Sequence, residues 1–213
     1  MRIINKLFGN EKERSAAFQV LANQLNLKYE SQNDFGLIKQ LSDFGLFKYG
    51  SSQKISNLLT EKAFDSENYL FDYQYVVSTG KSAVRFEQTV FFVNSKQLSL
   101  PHFVQKPESF FTNLMAFLGF DDIDFAKFPE YSDKFHLKGE YEEVIRFYFS
   151  EELLQLLLDQ NSFNMEAMNY YFILYHQNKL IHTSELKAFR NLGMMLFNLF
   201  LIQSKKSDNF LQP

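Results

Sequence analysis

Residues 69–93, YLFDYQYVVSTGKSAVRFEQTVFFV, decide the fold. Residues 69–77 alternate between an aromatic series and a mixed series, which is the period of a β-strand with one aromatic face. Residues 78–81 contain a glycine and are typical of a tight hairpin connection. Residues 83–93 return as the partner strand, so the stretch predicts an antiparallel hairpin.

The aromatic series of this hairpin is expected to lie in the core. It consists of Phe71, Tyr73 and Tyr75, with Phe86 or Phe92 opposite on the partner strand. The 213-residue chain contains 26 Phe, 11 Tyr and no Trp, so phenylalanine supplies much of the apolar volume of the core.

Helices and further strands are predicted around the hairpin from the periodicity of apolar residues and from capping residues. The helices are expected at 11–27, at 109–118, within 140–158 with a start at Ser150, and at 185–203. A short strand at 99–104 lies at an edge or at a strand start because of Pro101. A strand region at 165–176 is followed by a turn at 177–179 and a short strand at 180–182.

These elements predict an α+β fold, with an antiparallel sheet or sheets built from hairpins and with helices packed on one side. The order hairpin, strand, helix occurs over 69–118 and again over 165–203, which is compatible with two related halves. We predict one domain over 1–213, with alternative halves at 1–120 and 121–204 and a flexible tail at 205–213.

Composition excludes several classes of function. The chain has no Cys, which excludes a disulfide framework, a thiolate metal site and a Cys nucleophile. Its 22 basic and 25 acidic residues are interspersed, so no basic surface for nucleic acid is predicted. No segment resembles a signal peptide, and the apolar run at 194–202 is too short to span a membrane, so a cytoplasmic protein is expected.

An acidic connector at 121–136 is the candidate catalytic region. Its carboxylates could bind a divalent cation or perform acid–base chemistry. The candidate site residues are Asp122, Asp124, Glu130 and His136, with Asp72 as a contributor from the first strand. The alternative is a structural turn in which Ile123 and Phe125 point inward.

Other motifs give no cofactor or metal site. Residues 80–82 end like a P-loop, but Tyr75 stands where that motif needs its first glycine, and a strand follows instead of a helix. His176 and His182 flank the 177–179 turn without a third ligand. Nucleophile-elbow, dinucleotide-binding and zinc-protease motifs do not occur, so no cofactor is predicted.

Several short motifs within 70–149 occur in a distinctive order. They include FDYxY at 71–75, QTV at 88–90, LPxF at 100–103, PE at 107–108, DIDF at 122–125 and FPEYS at 128–132. In order and spacing they resemble a family of uncharacterised bacterial proteins. The resemblance implies a bacterial, cytoplasmic protein, and it implies no activity, cofactor or catalytic residue.

The leading functional prediction is a non-catalytic binding or scaffold module that binds a protein partner or a second copy of itself. The C-terminal helix supports it, because Met194, Met195, Phe197 and Phe200 surround much of the helical wheel. A helix apolar on so many sides is either deeply buried or used as an interface. The alternative is a divalent-metal-assisted hydrolase built on the acidic connector.

Overall fold

The computed structural model describes residues 2–33, 36–78, 80, 82–108, 121–160 and 163–210. The strands of these residues are β1 Lys28–Asn33, β2 Ser51–Lys62, β3 Ser66–Ser78, β4 Ala83–Ser95, β5 Leu100–Pro107, β6 Phe135–Gly139, β7 Asn164–Asn169 and β8 Tyr171–Tyr175. The α-helices are α1 Arg2–Leu25, α2 Leu37–Gln40, α3 Pro129–Lys134, α4 Glu142–Tyr148, α5 Glu151–Leu158 and α6 Leu186–Phe210. Short 3-10 helices form at Gly45–Lys48 and Thr183–Glu185.

The strands form one antiparallel sheet of eight in the order β1-β2-β3-β4-β8-β7-β5-β6. The predicted hairpin is present, because β3 and β4 are neighbours. Strand β5 lies between β7 and β6, so Pro101 marks the start of an interior strand and not an edge. The predicted α+β class is confirmed.

The chain forms two compact units, each assembled from separated stretches of sequence. The first contains Met1–Ala63, Glu67–Phe91 and Asn178–Leu192. The second contains Phe64–Ser66, Phe92–Gln177 and Gly193–Pro213. The assignment of the whole chain to one domain, or to halves divided at residue 120, stays a prediction.

In the first unit, the aromatic face of β3 is buried as predicted. Phe71 and Tyr73 are fully buried, and the ring of Phe47 lies 4.3 Å from the ring of Tyr73. Tyr75 stacks on Phe86 with ring centroids 5.3 Å apart, so Phe86 is the opposing ring. The 3-10 helix that carries Phe47 therefore covers this face of the sheet.

Helix α1 covers the opposite face of β3, where Arg14 reaches Asp72. The apolar side chains of α1 that were predicted to face inward, Phe18, Leu21 and Ala22, are buried. The helix ends at Leu25, and Asn26 follows with a left-handed φ of 53°, a conformation that asparagine tolerates at helix ends.

The second unit has a core of phenylalanine rings. The ring of Phe103 on β5 lies 5.1 Å from that of Phe149 and 5.9 Å from that of Phe200. Phe172 on β8 lies 5.5 Å from Phe200. Because Phe149 follows α4 and Phe200 belongs to α6, these rings hold both helices on the strand face that carries Phe103 and Phe172.

The hairpin after β7 differs from the prediction. It turns at Asn169 and Tyr170, because Met168 pairs with Tyr171 across the two strands and Asn169 adopts a φ of 51°. The predicted turn at 177–179 is also present, at 177–178, but it follows β8 and is not the hairpin turn.

The segment after β8 also differs. Residues 180–182 form no strand, and His182 is the N-cap of the following 3-10 helix, its side chain accepting from the Ser184 N–H at 3.4 Å. The second hairpin–strand–helix series therefore lacks its strand. Helix α6 continues to Phe210, so 205–210 is helical where a tail was predicted. The predicted helix at 109–118 lies outside the described residues.

Candidate functional site

The structure brings Asp122 and His136 of the acidic connector together in the second unit. His136 lies on β6, and its Nδ1 faces Asp122 Oδ2. Its other ring nitrogen, Nε2, lies 2.5 Å from Oε2 of Glu108, the residue after β5. The second oxygen of Asp122 accepts a hydrogen bond from the Leu137 backbone N–H at 2.8 Å. The imidazole thus lies between two carboxylates, one at each nitrogen.

This geometry is typical of a structural contact between charged side chains and less typical of a metal site. Such a structural contact is made by the histidine ring and the two carboxylates that flank it. A metal ligand instead needs a free lone pair directed at a point that other ligands share. Here both ring nitrogens of His136 already face carboxylate oxygens, of Glu108 and of Asp122. Across the described ranges, no group of three His, Cys, Asp or Glu side chains is placed to hold a metal ion.

Asp124 and Glu130 take no part in this contact within the described ranges. Both side chains are exposed. Asp124 contributes its backbone carbonyl, which accepts a hydrogen bond from Arg146 Nη1 at 2.5 Å. The buried side chain of Ile123 and the ring of Phe125 point toward the core, as the structural alternative for this segment predicts.

The segment around Ile123 and Phe125 packs against the fully buried side chain of Tyr131. Its ring lies 5.5 Å from that of Phe125, and its hydroxyl donates to Gln105 Oε1 at 2.9 Å. Complete burial raises the pKa of the Tyr131 phenol well above its ordinary value, and the charge of Asp122 raises it further. The phenol therefore remains a neutral donor at physiological pH.

Asp72 belongs to a saturated polar network in the first unit. Arg14 Nε donates to its Oδ2 at 2.6 Å, and Arg14 Nη2 donates to its Oδ1 at 2.7 Å. Thr89 Oγ1 donates to Oδ1 at 2.9 Å, and Asn57 Nδ2 donates to Oδ2 at 3.0 Å. A bidentate arginine and two further donors hold the carboxylate in place. Asp72 therefore anchors α1 on the sheet.

A groove of about 650 Å³ lies between α5 and the middle of α6, within the second unit. On α6 its lining residues follow the spacing of one helical face. Its apolar lining consists of Phe128, Leu156, Met195, Leu199 and Ile202, and its polar rim consists of Glu151, Glu152, Gln155 and Asn198. We call this surface the α5–α6 groove.

The α5 wall of the groove is capped at both ends. Ser150 Oγ accepts from the Leu153 N–H at 3.4 Å at the start, as the sequence predicted. At the other end Lys134 Nζ donates to the carbonyl oxygens of Leu158 at 2.8 Å and Gln160 at 2.5 Å. Burial lowers the pKa of Lys134, and the charge of Asp159 opposes that shift. Since unsatisfied terminal groups are the weak points of a short helix, these caps stabilise the wall.

The α6 wall divides its apolar residues between two faces. Leu196 and Phe200 are fully buried. Met195 and Ile202 face the groove and remain 50% and 48% exposed. Both outcomes anticipated for this helix, burial and an exposed apolar surface, therefore occur on different sides of it. Sequence reasoning missed α5 as the second wall. The five leucines of EELLQLLL at 151–158 could have indicated it, because a helix of eight residues that buries only one face needs fewer apolar residues.

No helix among the described residues combines the length and apolar character needed to cross a membrane.

Comparison with known proteins identifies a related fold. No family model matches the chain, and no curated protein matches it. The chain resembles the crystal structure of the mycobacterial trehalose monomycolate transport factor A, TtfA, with a TM-score of 0.60. The match covers 89% of this chain and 93% of that chain at 8% sequence identity. At that identity the similarity is one of fold.

Proposed function

We propose that this chain is a non-catalytic, cytoplasmic binding module whose α5–α6 groove receives an apolar segment of a protein partner. The supporting observation is the groove itself, a concave and largely apolar surface between two helices, of which α5 is capped at both ends. Covering exposed apolar area gains about 25 cal/mol per Å². A rigid surface also loses little conformational entropy when it is covered.

A catalytic role has less support. Of the candidate catalytic residues, Asp122 and His136 hold one another, and Asp72 is saturated by Arg14, Thr89 and Asn57. The hydrolase stays an untested prediction from the sequence. The protein with the similar structure is named as a transport factor, and a binding role for this chain is in keeping with that description.

The proposal is tested by selecting peptides from a random display library on the full chain. Selected peptides should shift the methyl resonances of Met195 and Ile202 in NMR spectra, because these side chains are the exposed apolar part of the groove. The variant Ile202→Asp should lose binding, since it places a charge on the apolar surface. The matched control is Val20→Asp, which changes an exposed apolar residue of α1 and should bind as the unmodified chain does.

Selected peptides that bind Ile202→Asp as tightly as the unmodified chain would contradict the proposal. Light scattering on the unmodified chain identifies the remaining alternative. If the chain dimerises and Ile202→Asp makes it monomeric, the occupant of the groove is a second copy.

A further inference from the structure

We infer that the partner segment of the α5–α6 groove is a short, basic, amphipathic helix of another protein. This inference rests on the proposed function and names the class of partner. It follows from the backbone chemistry, the dimensions and the charge of the groove.

The walls of the groove favour a helical occupant. Both walls are helices, whose backbone groups are hydrogen-bonded within the helix or, at the ends of α5, by Ser150 and Lys134. The polar lining offers only the side chains of Glu151, Glu152, Gln155 and Asn198. An extended peptide would leave many of its N–H and C=O groups facing apolar side chains without partners, which is costly. A helix satisfies these groups internally and presents only its side chains.

The dimensions fit a short apolar stripe. From Met195 to Ile202 the α6 wall rises roughly 10 Å, at 1.5 Å per residue. This length corresponds to about two turns of an occupant helix, enough for apolar residues at positions i, i+3, i+4 and i+7. The groove between two helices accepts such a ridge of side chains in the usual manner of helix packing.

The charge of the rim favours lysine or arginine beside that stripe. Both charged lining residues, Glu151 and Glu152, are acidic and exposed. Glu151 lies 3.4 Å from Lys127, an ion pair between highly exposed side chains that contributes little. Glu152 forms no ion pair within the described part of the chain. Lys205 and Lys206, the next charges along α6, lie beyond Ile202 and outside the lining.

The test uses two fluorescein-labelled amphipathic peptides, each about 14 residues long so that helix formation is feasible. One is built of leucine and lysine, and the other replaces every lysine by glutamate. Fluorescence anisotropy with the full chain should give a dissociation constant at least about tenfold lower for the lysine peptide. Raising the salt from about 0.1 M to about 0.5 M should reduce the difference, because salt screens exposed charges.

Variants assign the preference to the groove. Glu152→Lys should weaken binding of the lysine peptide by about threefold, the scale of one exposed ion pair. The matched control Glu143→Lys makes the same charge change in the first turn of α4 and should leave binding unchanged. Ile202→Asp should abolish binding, whereas Val20→Asp should not.

Three results would overturn the inference. Equal binding of both peptides, lost in Ile202→Asp, would leave the groove as a binding site and remove the basic partner. Absence of binding by either peptide would remove the amphipathic helix as the occupant, while peptides selected from the library still test the proposed function. A lysine preference that Glu143→Lys reduces as much as Glu152→Lys would place the effect in the overall charge of the chain.

Discussion

Replacing Arg14 by methionine tests whether the Arg14–Asp72 ion pair stabilises the first unit by holding α1 on the sheet. Methionine keeps an apolar stem on α1 but removes the guanidinium, which donates to Asp72, to Thr89 Oγ1 and to the Ile181 carbonyl oxygen. The Asp72 side chain, 8% exposed, would then be a buried carboxylate without a counter-ion. Removing one partner of a buried ion pair costs about 3–5 kcal/mol.

The other hydrogen bonds to Asp72 determine where in the range of about 3–5 kcal/mol the loss of stability should lie. Thr89 and Asn57 still donate to Asp72 after the change, which favours the lower end, about 3 kcal/mol. The lost contact of the guanidinium with the Phe18 ring, now 5.3 Å away, adds about 0.5–1 kcal/mol. The free energy of unfolding is measured by urea titration of the full chain, followed by circular dichroism.

A double-mutant cycle separates the ion pair from simple loss of packing. Arg14→Met combined with Asp72→Leu removes both charges, so it should cost less than the sum of the single changes, by about 2 kcal/mol. The control is Arg85→Met, whose side chain is 59% exposed and should change stability by less than about 0.5 kcal/mol. A cost for Arg14→Met no larger than that of the control, or strict additivity in the cycle, would refute the reasoning.

The remaining predictions concern the aromatic core, one helix cap and the response to alkali. Phe71→Ala should cost about 3–5 kcal/mol by chemical denaturation, whereas Phe64→Ala should cost almost nothing, because Phe71 is fully buried and Phe64 is 101% exposed. Equal costs for the two would contradict the assignment of the core. Ser150→Ala should cost about 1 kcal/mol through the lost cap of α5, and Ser150→Asp should restore most of it. Burial raises the pKa of Tyr73 above its ordinary value of 10.0. As the pH rises above 10, Tyr73 therefore ionises in the unfolded chain before it does in the folded protein, and the free energy of unfolding falls. Unfolding titrations between pH 9 and pH 11 should therefore show a slope that Tyr73→Phe reduces by up to about 1.4 kcal/mol per pH unit; an unchanged slope would show that Tyr73 has no part in it.

The parts of the fold that were predicted correctly depend on local pattern. The alternation of residues 69–77, the helical spacing before Leu25 and the serine before α5 each specify a structure within a few residues. The burial of Phe71 follows from the same alternation, since one face of a strand in this sheet must be covered.

The hairpin of β7 and β8 shows where local pattern is insufficient. Residues 177–179 are polar and resemble a turn, and Asn178 does adopt a left-handed φ of 54°. That residue, however, follows the end of β8, and the hairpin turns earlier, at Asn169 and Tyr170, where no glycine or proline marks it. The pairing of β7 with β8, which local sequence does not specify, places the hairpin turn at Asn169 and not at Asn178.

The candidate sites depend on pairing between distant residues. Glu108 meets His136 because β5 and β6 pair with Pro107 opposite Phe135, a register that spacing along the sequence does not specify. The α5–α6 groove likewise needs two helices separated by β7 and β8. Residue chemistry placed Asp122 and His136 in one candidate site, but it neither paired them nor identified Glu108 as the second carboxylate beside the histidine.

The hydrogen bond from Arg14 to the Ile181 carbonyl oxygen has a consequence for synthesis on the ribosome. The two residues lie 167 positions apart, and both belong to the first unit. At a translation rate of about 5–20 residues per second, Ile181 is added about 10–30 s after Arg14, so the hydrogen bond between them cannot form before then. During that interval the apolar face of α1, with Phe18 and Leu21, lacks the 178–192 segment that completes its unit. The nascent chain is therefore expected to depend on chaperones until residues 178–192 have been made, and its yield should fall when translation is slowed between α1 and Ile181.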